Sequence, residues 1–123
     1  MFWVAVACDL IIPIVMIIAG WFMYKKTPKN VNHVIGYRTP MSMKNQDTWD
    51  FANAYCGKLW IKVGTVLSVV SFASHLPFYN FGEDALSIVI IVVEFIQIIV
   101  LVGTIAPVES QLKKKFDILG NRI

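Results

Sequence analysis

Charge is what this sequence lacks. Of its 123 residues only 15% are Asp, Glu, Lys or Arg, against 57% hydrophobic, and the mean hydropathy is +0.64. A soluble domain carries about 25% charged residues. So few charges leave little material for a wet surface, and lipid is the covering that fits. Cysteine is also scarce, with Cys8 and Cys56 alone. On the topology derived below the two lie near opposite faces of a bilayer, whereas a disulfide needs Cα atoms within about 7 Å. They read as inert buried thiols. Neither has a second Cys or a His at metal spacing, and the two histidines, His33 and His75, fall on opposite sides. H-E-x-x-H, G-x-S-x-G and P-loop patterns are all missing. The sequence therefore offers no catalytic residues, no metal site and no cofactor signature, and reads as a non-enzyme forming one membrane domain. The net charge of +3 sits beside apolar runs, which favours a membrane surface over nucleic acid as neighbour.

What the chain does have is three apolar runs, at about 2–24, 59–79 and 85–106. A bilayer core needs about 20 such residues at a rise of 1.5 Å each. The expected fold is an all-α integral membrane protein with three transmembrane helices. Residues 25–58 form a loop with an interfacial helix leading into the second span, and 107–123 form a tail. The first run lacks a basic n-region and is followed by Lys25 and Lys26, so it reads as a span with a stop rather than a signal peptide. Pro13 should kink this helix without breaking it, because neighbouring helices can satisfy the freed carbonyl. Pro107 should end the third helix.

The basic residues set the orientation. Lys25, Lys26, Lys29, Arg38, Lys44, Lys58 and Lys62 lie in or beside the first connection, and Lys113, Lys114, Lys115 and Arg122 lie in the tail. The turn 80–84 has no Lys or Arg. The positive-inside rule puts the basic side in the cytoplasm and the N-terminus outside. Trp3, Trp21, Tyr24, Trp60 and Tyr79 fit interfacial anchors, and Lys58 and Lys62 should snorkel. Lys113, Lys114 and Lys115 read as a contact with anionic lipid headgroups.

Residues 25–58 are the least generic part. Gly36 and Pro40 forbid a continuous helix through Val34-Ile35-Gly36-Tyr37-Arg38-Thr39-Pro40. A helix follows, in which Asn45, Trp49 and Asn53 recur every four residues and share a face. Ser42 is a plausible N-cap, with Asn45 or Asp47 as alternatives. Gly36 suits a positive φ or a close backbone approach. Tyr37 suits a headgroup-level anchor. Arg38 offers a planar fork for a lipid phosphate, for Asp47 or Asp50, or for helix C-terminal carbonyls. The bland alternative is a structural staple closing the end of the bundle.

This stretch resembles a known family. Ile35-Gly36-Tyr37-Arg38-Thr39-Pro40-Met41-Ser42, then Asn45, Trp49, Ala52-Asn53 and Gly57-Lys58, is similar to the signature of the SdpI-like family of bacterial membrane proteins. That pattern is roughly G-[YF]-R-T, a Ser three residues on, an Asn, then W-x-x-[AG]-N and a Gly near the next span. The likeness covers about residues 20 to 106. It implies immunity: protection of the envelope from a secreted peptide toxin. For the named member it also implies signal transduction, by capture of a cytoplasmic repressor. The chain reads as a short three-span member, with Gly36, Tyr37, Arg38, Thr39, Ser42, Asn45, Trp49, Asn53 and Gly57 as a partner- or lipid-binding motif.

Ionisable residues inside a membrane usually face the bundle interior. Asp9, His75 and Glu94 should lie about 6 to 14 Å below one face and converge. Gln97 sits one turn from Glu94. Gly57, Gly64, Ser68, Ser71 and His75 form one small, polar face of the second span, where helices approach closely. The cluster is either a hydrogen-bonded structural knot with a neutral Glu94 or a proton-relay or cation site. The second case defines a competing function, a small homo-oligomeric transporter or channel subunit. A third is a membrane-tethered scaffold for a cytoplasmic regulator.

Overall fold

In the computed structural model, residues 2–26, 29 and 36–123 are described. His33, Val34 and Ile35 of the sequence analysis lie outside them. The described chain is all-helical, and its only extended pairing is one isolated bridge between Phe116 and Arg122. Helix α1 is Phe2–Lys25, α2 is Gln46–His75, α3 is Glu83–Gly103 and α4 is Ile105–Lys115, with a 3-10 turn at Leu76–Phe78. Three helical stretches are long and apolar enough to cross a membrane: Phe2–Lys25, Gln46–Phe78 and Glu83–Lys115.

Close approach of backbones fixes the bundle. Helices α1 and α2 run antiparallel. A Cβ added at Gly57 would stand 2.5 Å from the Gly20 carbonyl oxygen and 2.6 Å from the Tyr24 nitrogen. One added at Gly64 would stand 2.9 Å from the Pro13 oxygen. Both glycines thus let α2 lie against α1 where a side chain would hold it off. Helix α3 runs parallel to α1. Near its start Leu86 packs on Phe2 and Val6, and past its end Val108, Leu112 and Phe116 pack with Met23, Tyr37, Ala52 and Cys56. The outward faces of the helices are exposed apolar side chains such as Val69, Ile91 and Phe95, as lipid contact requires.

The interfacial helix runs into the second span as one helix, α2, and of the three N-cap candidates Asn45 begins it in place of Ser42. Asn45 Oδ1 accepts from Thr48 N–H at 2.9 Å and Thr48 Oγ1 accepts from Asn45 N–H at 3.1 Å. This reciprocal cap satisfies two donors at once, which a lone serine does not. Pro107 does not end the third helix. The joint is at Thr104, and Pro107 lies in the first turn of α4, where a missing N–H leaves no hydrogen bond unmade. The tail folds back: Asn45 Nδ2 donates to the Gly120 carbonyl at 2.6 Å, and Gly120 turns with φ +86°. Cys8 and Cys56 are free thiols.

Candidate functional site

Two polar constructions occupy the bundle, one in its interior and one at the end bearing the motif. The interior one begins with Pro13. In an α-helix the N–H of residue 13 would bond the carbonyl of Asp9, and proline has none. That carbonyl instead accepts from Gln97 Nε2 of α3 at 2.6 Å. The same Nε2 donates to Ser71 Oγ of α2 at 2.8 Å, so one amide group ties all three helices. One turn along α2, His75 Nε2 lies 2.7 Å from Asp9 Oδ2, with both side chains fully buried. His75 Nδ1 lies 2.5 Å from the Ser71 carbonyl oxygen.

A carbonyl only accepts, so Nδ1 carries a proton. One further proton lies between Nε2 and Oδ2. Whichever atom holds it, imidazole and carboxyl together carry no net charge. A neutral pair avoids the cost of burying an unpaired ion in hydrocarbon. Two acceptors of this cluster, Asp9 Oδ1 and Gln97 Oε1, are buried without a partner among the described residues. The structure brings Asp9, His75 and Gln97 together with Ser71. Glu94 is half-buried and makes no hydrogen bond or ion pair among the described residues; His75 is taken by Asp9.

At the other end the motif residues form a cage around Asn53. Asn53 Nδ2 donates to the Trp49 carbonyl at 2.9 Å, which turns Oδ1 to accept the Tyr37 N–H at 2.8 Å. Gly36 reaches this position with φ +107°, and a Cβ there would stand 2.5 Å from Asn53 Oδ1 and 3.1 Å from the Trp49 ring. Both the conformation and the space exclude a side chain. Ser42 Oγ accepts from Thr39 N–H at 2.8 Å and lies 3.1 Å from the Tyr37 carbonyl, so it fastens the turn 37–42 internally. Trp49 is fully buried beneath the turn.

Tyr37 is not a headgroup anchor. It is buried, and its hydroxyl donates to Glu109 Oε1 of α4 at 2.7 Å. Burial, then the bond to the Glu109 carboxylate, push the phenol well above its ordinary range. Arg38 is exposed, as are Lys113, Lys114 and Lys115 in the last turn of α4, where cations suit the helix dipole. Lys58 reaches back so that its Nζ stands 5.0 Å from the Tyr24 ring.

The sequence reading missed Glu109, Thr48, Gly20 and the tail turn at Gly120. Thr48 was legible as the third residue after a capping Asn, and Glu109 as the one acid between Glu94 and Asp117. Gly20 is a small residue within an apolar helix, but nothing in the sequence pairs it with Gly57.

A bundle of apolar helices with a neutral polar interior and a motif-built cap is a multi-pass membrane protein. Residues 29–108 match the SdpI/YfhL protein family, and the chain belongs to it. It is similar to the uncharacterized protein YfhL of Bacillus subtilis (strain 168), 45% identical over 53 residues, which are 43% of this chain and 48% of that protein. It is also similar to the immunity protein SdpI of the same strain, 32% identical over 62 residues, 50% of this chain and 27% of that one. The matched stretches thus span about half and about a quarter of those relatives' lengths. No solved structure matches the chain.

Proposed function

We propose that this chain is a membrane immunity protein that guards the cell envelope against a secreted peptide toxin. The observation that carries the reading is that Gly36, Tyr37, Thr39, Ser42, Trp49 and Asn53 of the family motif lie within the matched region and are bonded or packed together in one cap. Membership of a family with an immunity protein supports the same role. The excess of Lys and Arg at this end supports an orientation with the cap and Lys113, Lys114 and Lys115 on the cytoplasmic side, near anionic headgroups, and the turn 80–84 outside. A cytoplasmic regulator such as a repressor would meet the protein at this basic end.

The test is survival. A toxin-sensitive strain lacking its own immunity gene, expressing this chain, should withstand the sporulation-delaying peptide toxin at a dose that kills cells carrying the empty vector. Equal killing, with the chain present in the membrane, refutes the reading. A second reading, proton or cation passage through the interior cluster, is favoured by the two unpartnered acceptors Asp9 Oδ1 and Gln97 Oε1. Asp9→Asn separates the two: it keeps a polar contact to His75 but removes the ionisable group, so passage through the cluster should stop while toxin protection persists under the immunity reading.

A further inference from the structure

A cavity of about 1040 Å³ opens beside the motif cap. This is at the top of the roughly 300–1,000 Å³ range of small-molecule pockets. Phe22 and Met23 of α1, Trp60 of α2, and Val102 and Ile105 on either side of the α3–α4 joint give it apolar walls. Its rim holds the Gly36–Thr39 turn and two cations, Lys26 and Arg38, and the described residues lining it include no acid. Lys26 is exposed, with its Nζ 5.9 Å from the Trp21 ring, at the level where α1 gives way to the loop. The cavity is therefore an apolar trough that ends in positive charge at the edge of the span.

We propose that this trough binds an acyl chain of an anionic phospholipid, whose phosphate lies between Lys26 and Arg38. Charge complementarity selects the headgroup. Arg38 and Lys26 put two positive charges at the rim, and a phosphate is their complement. A choline headgroup brings a cation of its own to the same rim and gains less. The apolar walls select the chain. The inference stands apart from the immunity reading, since it concerns which lipid the protein holds and not what it protects against.

Trp60 lines the trough and reports occupancy. Trp3 and Trp21 face outward, and Trp3→Phe with Trp21→Phe leaves Trp60 and the buried Trp49 as fluorophores. This protein is reconstituted in phosphatidylcholine bilayers containing rising fractions of brominated phosphatidylglycerol, or of brominated phosphatidylcholine. Half-maximal quenching should need at least about five-fold less of the glycerol lipid, the preference expected from one juxtamembrane cation. Lys26→Gln, at an exposed position, should lower that ratio by about five-fold. Ala19→Phe, which fills the trough, should reduce quenching by both lipids. Equal half-quenching fractions for the two lipids would overturn the proposal. So would a glycerol-lipid preference that Lys26→Gln leaves unchanged, since attraction to the bilayer as a whole would then account for it.

Discussion

Replacing Gln97 by Leu should destabilise the bundle, and Pro13→Ala should relieve part of the damage. Gln97 Nε2 makes two interhelical bonds, at 2.6 Å to the Asp9 carbonyl and 2.8 Å to Ser71 Oγ. Interhelical hydrogen bonds in membranes average about 0.6 kcal/mol and reach about 1.7, so losing both should cost about 1–3 kcal/mol. The Asp9 carbonyl needs Gln97 only because Pro13 has no N–H. Alanine at position 13 restores that donor, which closes the helical ladder onto Asp9. In the Pro13→Ala background Gln97→Leu should therefore cost about half as much, a favourable coupling of about 0.6–1.7 kcal/mol. Ser71→Ala, whose bond does not involve the Asp9 carbonyl, should show no such relief. The assay is reversible unfolding in mixed micelles of dodecyl maltoside and dodecyl sulfate, applied to the four proteins of the cycle. Additivity of Pro13→Ala and Gln97→Leu within about 0.3 kcal/mol would refute the proposed exchange of donors.

Gly57→Ala puts a methyl 2.5 Å from the Gly20 carbonyl oxygen, so α1 and α2 must separate; a loss of about 1–3 kcal/mol should appear in the same unfolding assay. Because the folded state holds the Tyr37 proton more tightly than the unfolded chain does, the Tyr37 contribution to stability should be level up to about pH 10 and be lost above it, where the unfolded phenol ionises. In a background lacking Cys8 and Cys56, Tyr37→Phe should reduce the alkaline slope, measured as unfolding midpoint against pH. Glu94→Gln should keep both stability and protection, while a folded but fully inactive Glu94→Gln protein would raise the transport reading above the immunity one. After removal of Cys8 and Cys56, a Cys at Gly82, where an added Cβ meets nothing within 4 Å, should react with an impermeant maleimide on intact cells. A Cys at Asn121 should react only after permeabilisation, and the reverse pattern contradicts the orientation.

Helices α1, α2 and α3 were legible because each rests on a local signal, whereas α4 was read as part of the tail. Apolar length marks the spans, and the four-residue recurrence of Asn45, Trp49 and Asn53 marks the start of α2. The meeting of Asp9 and His75 followed from depth, since antiparallel spans bring residues at equal distance from one face to one level, and Gln97 entered through its place one turn from Glu94. Depth does not fix rotation about the helix axis, however. Glu94 has a suitable depth, yet it lies three residues from the buried Gln97 and is itself only half-buried. The motif residues were recognisable one by one, but their partners were not. Tyr37 binds Glu109 at a separation of 72 residues, and Asn45 binds Gly120 at 75. Such contacts depend on how the tail returns to the bundle, which no local spacing encodes.

The account ties protection to the motif end of the bundle, and the direct measurement is toxin survival of motif variants at matched membrane levels. Asn53→Ala removes the acceptor of the Tyr37 N–H, Trp49→Ala empties the space beneath the turn, and Arg38→Ala truncates an exposed side chain. Arg38→Ala should reach the membrane in normal amount and lose protection, and the two buried variants should lose it at least as fully. Protection that survives Arg38→Ala, or that falls only in step with the amount of protein in the membrane, would contradict the account and leave the motif a purely structural cap.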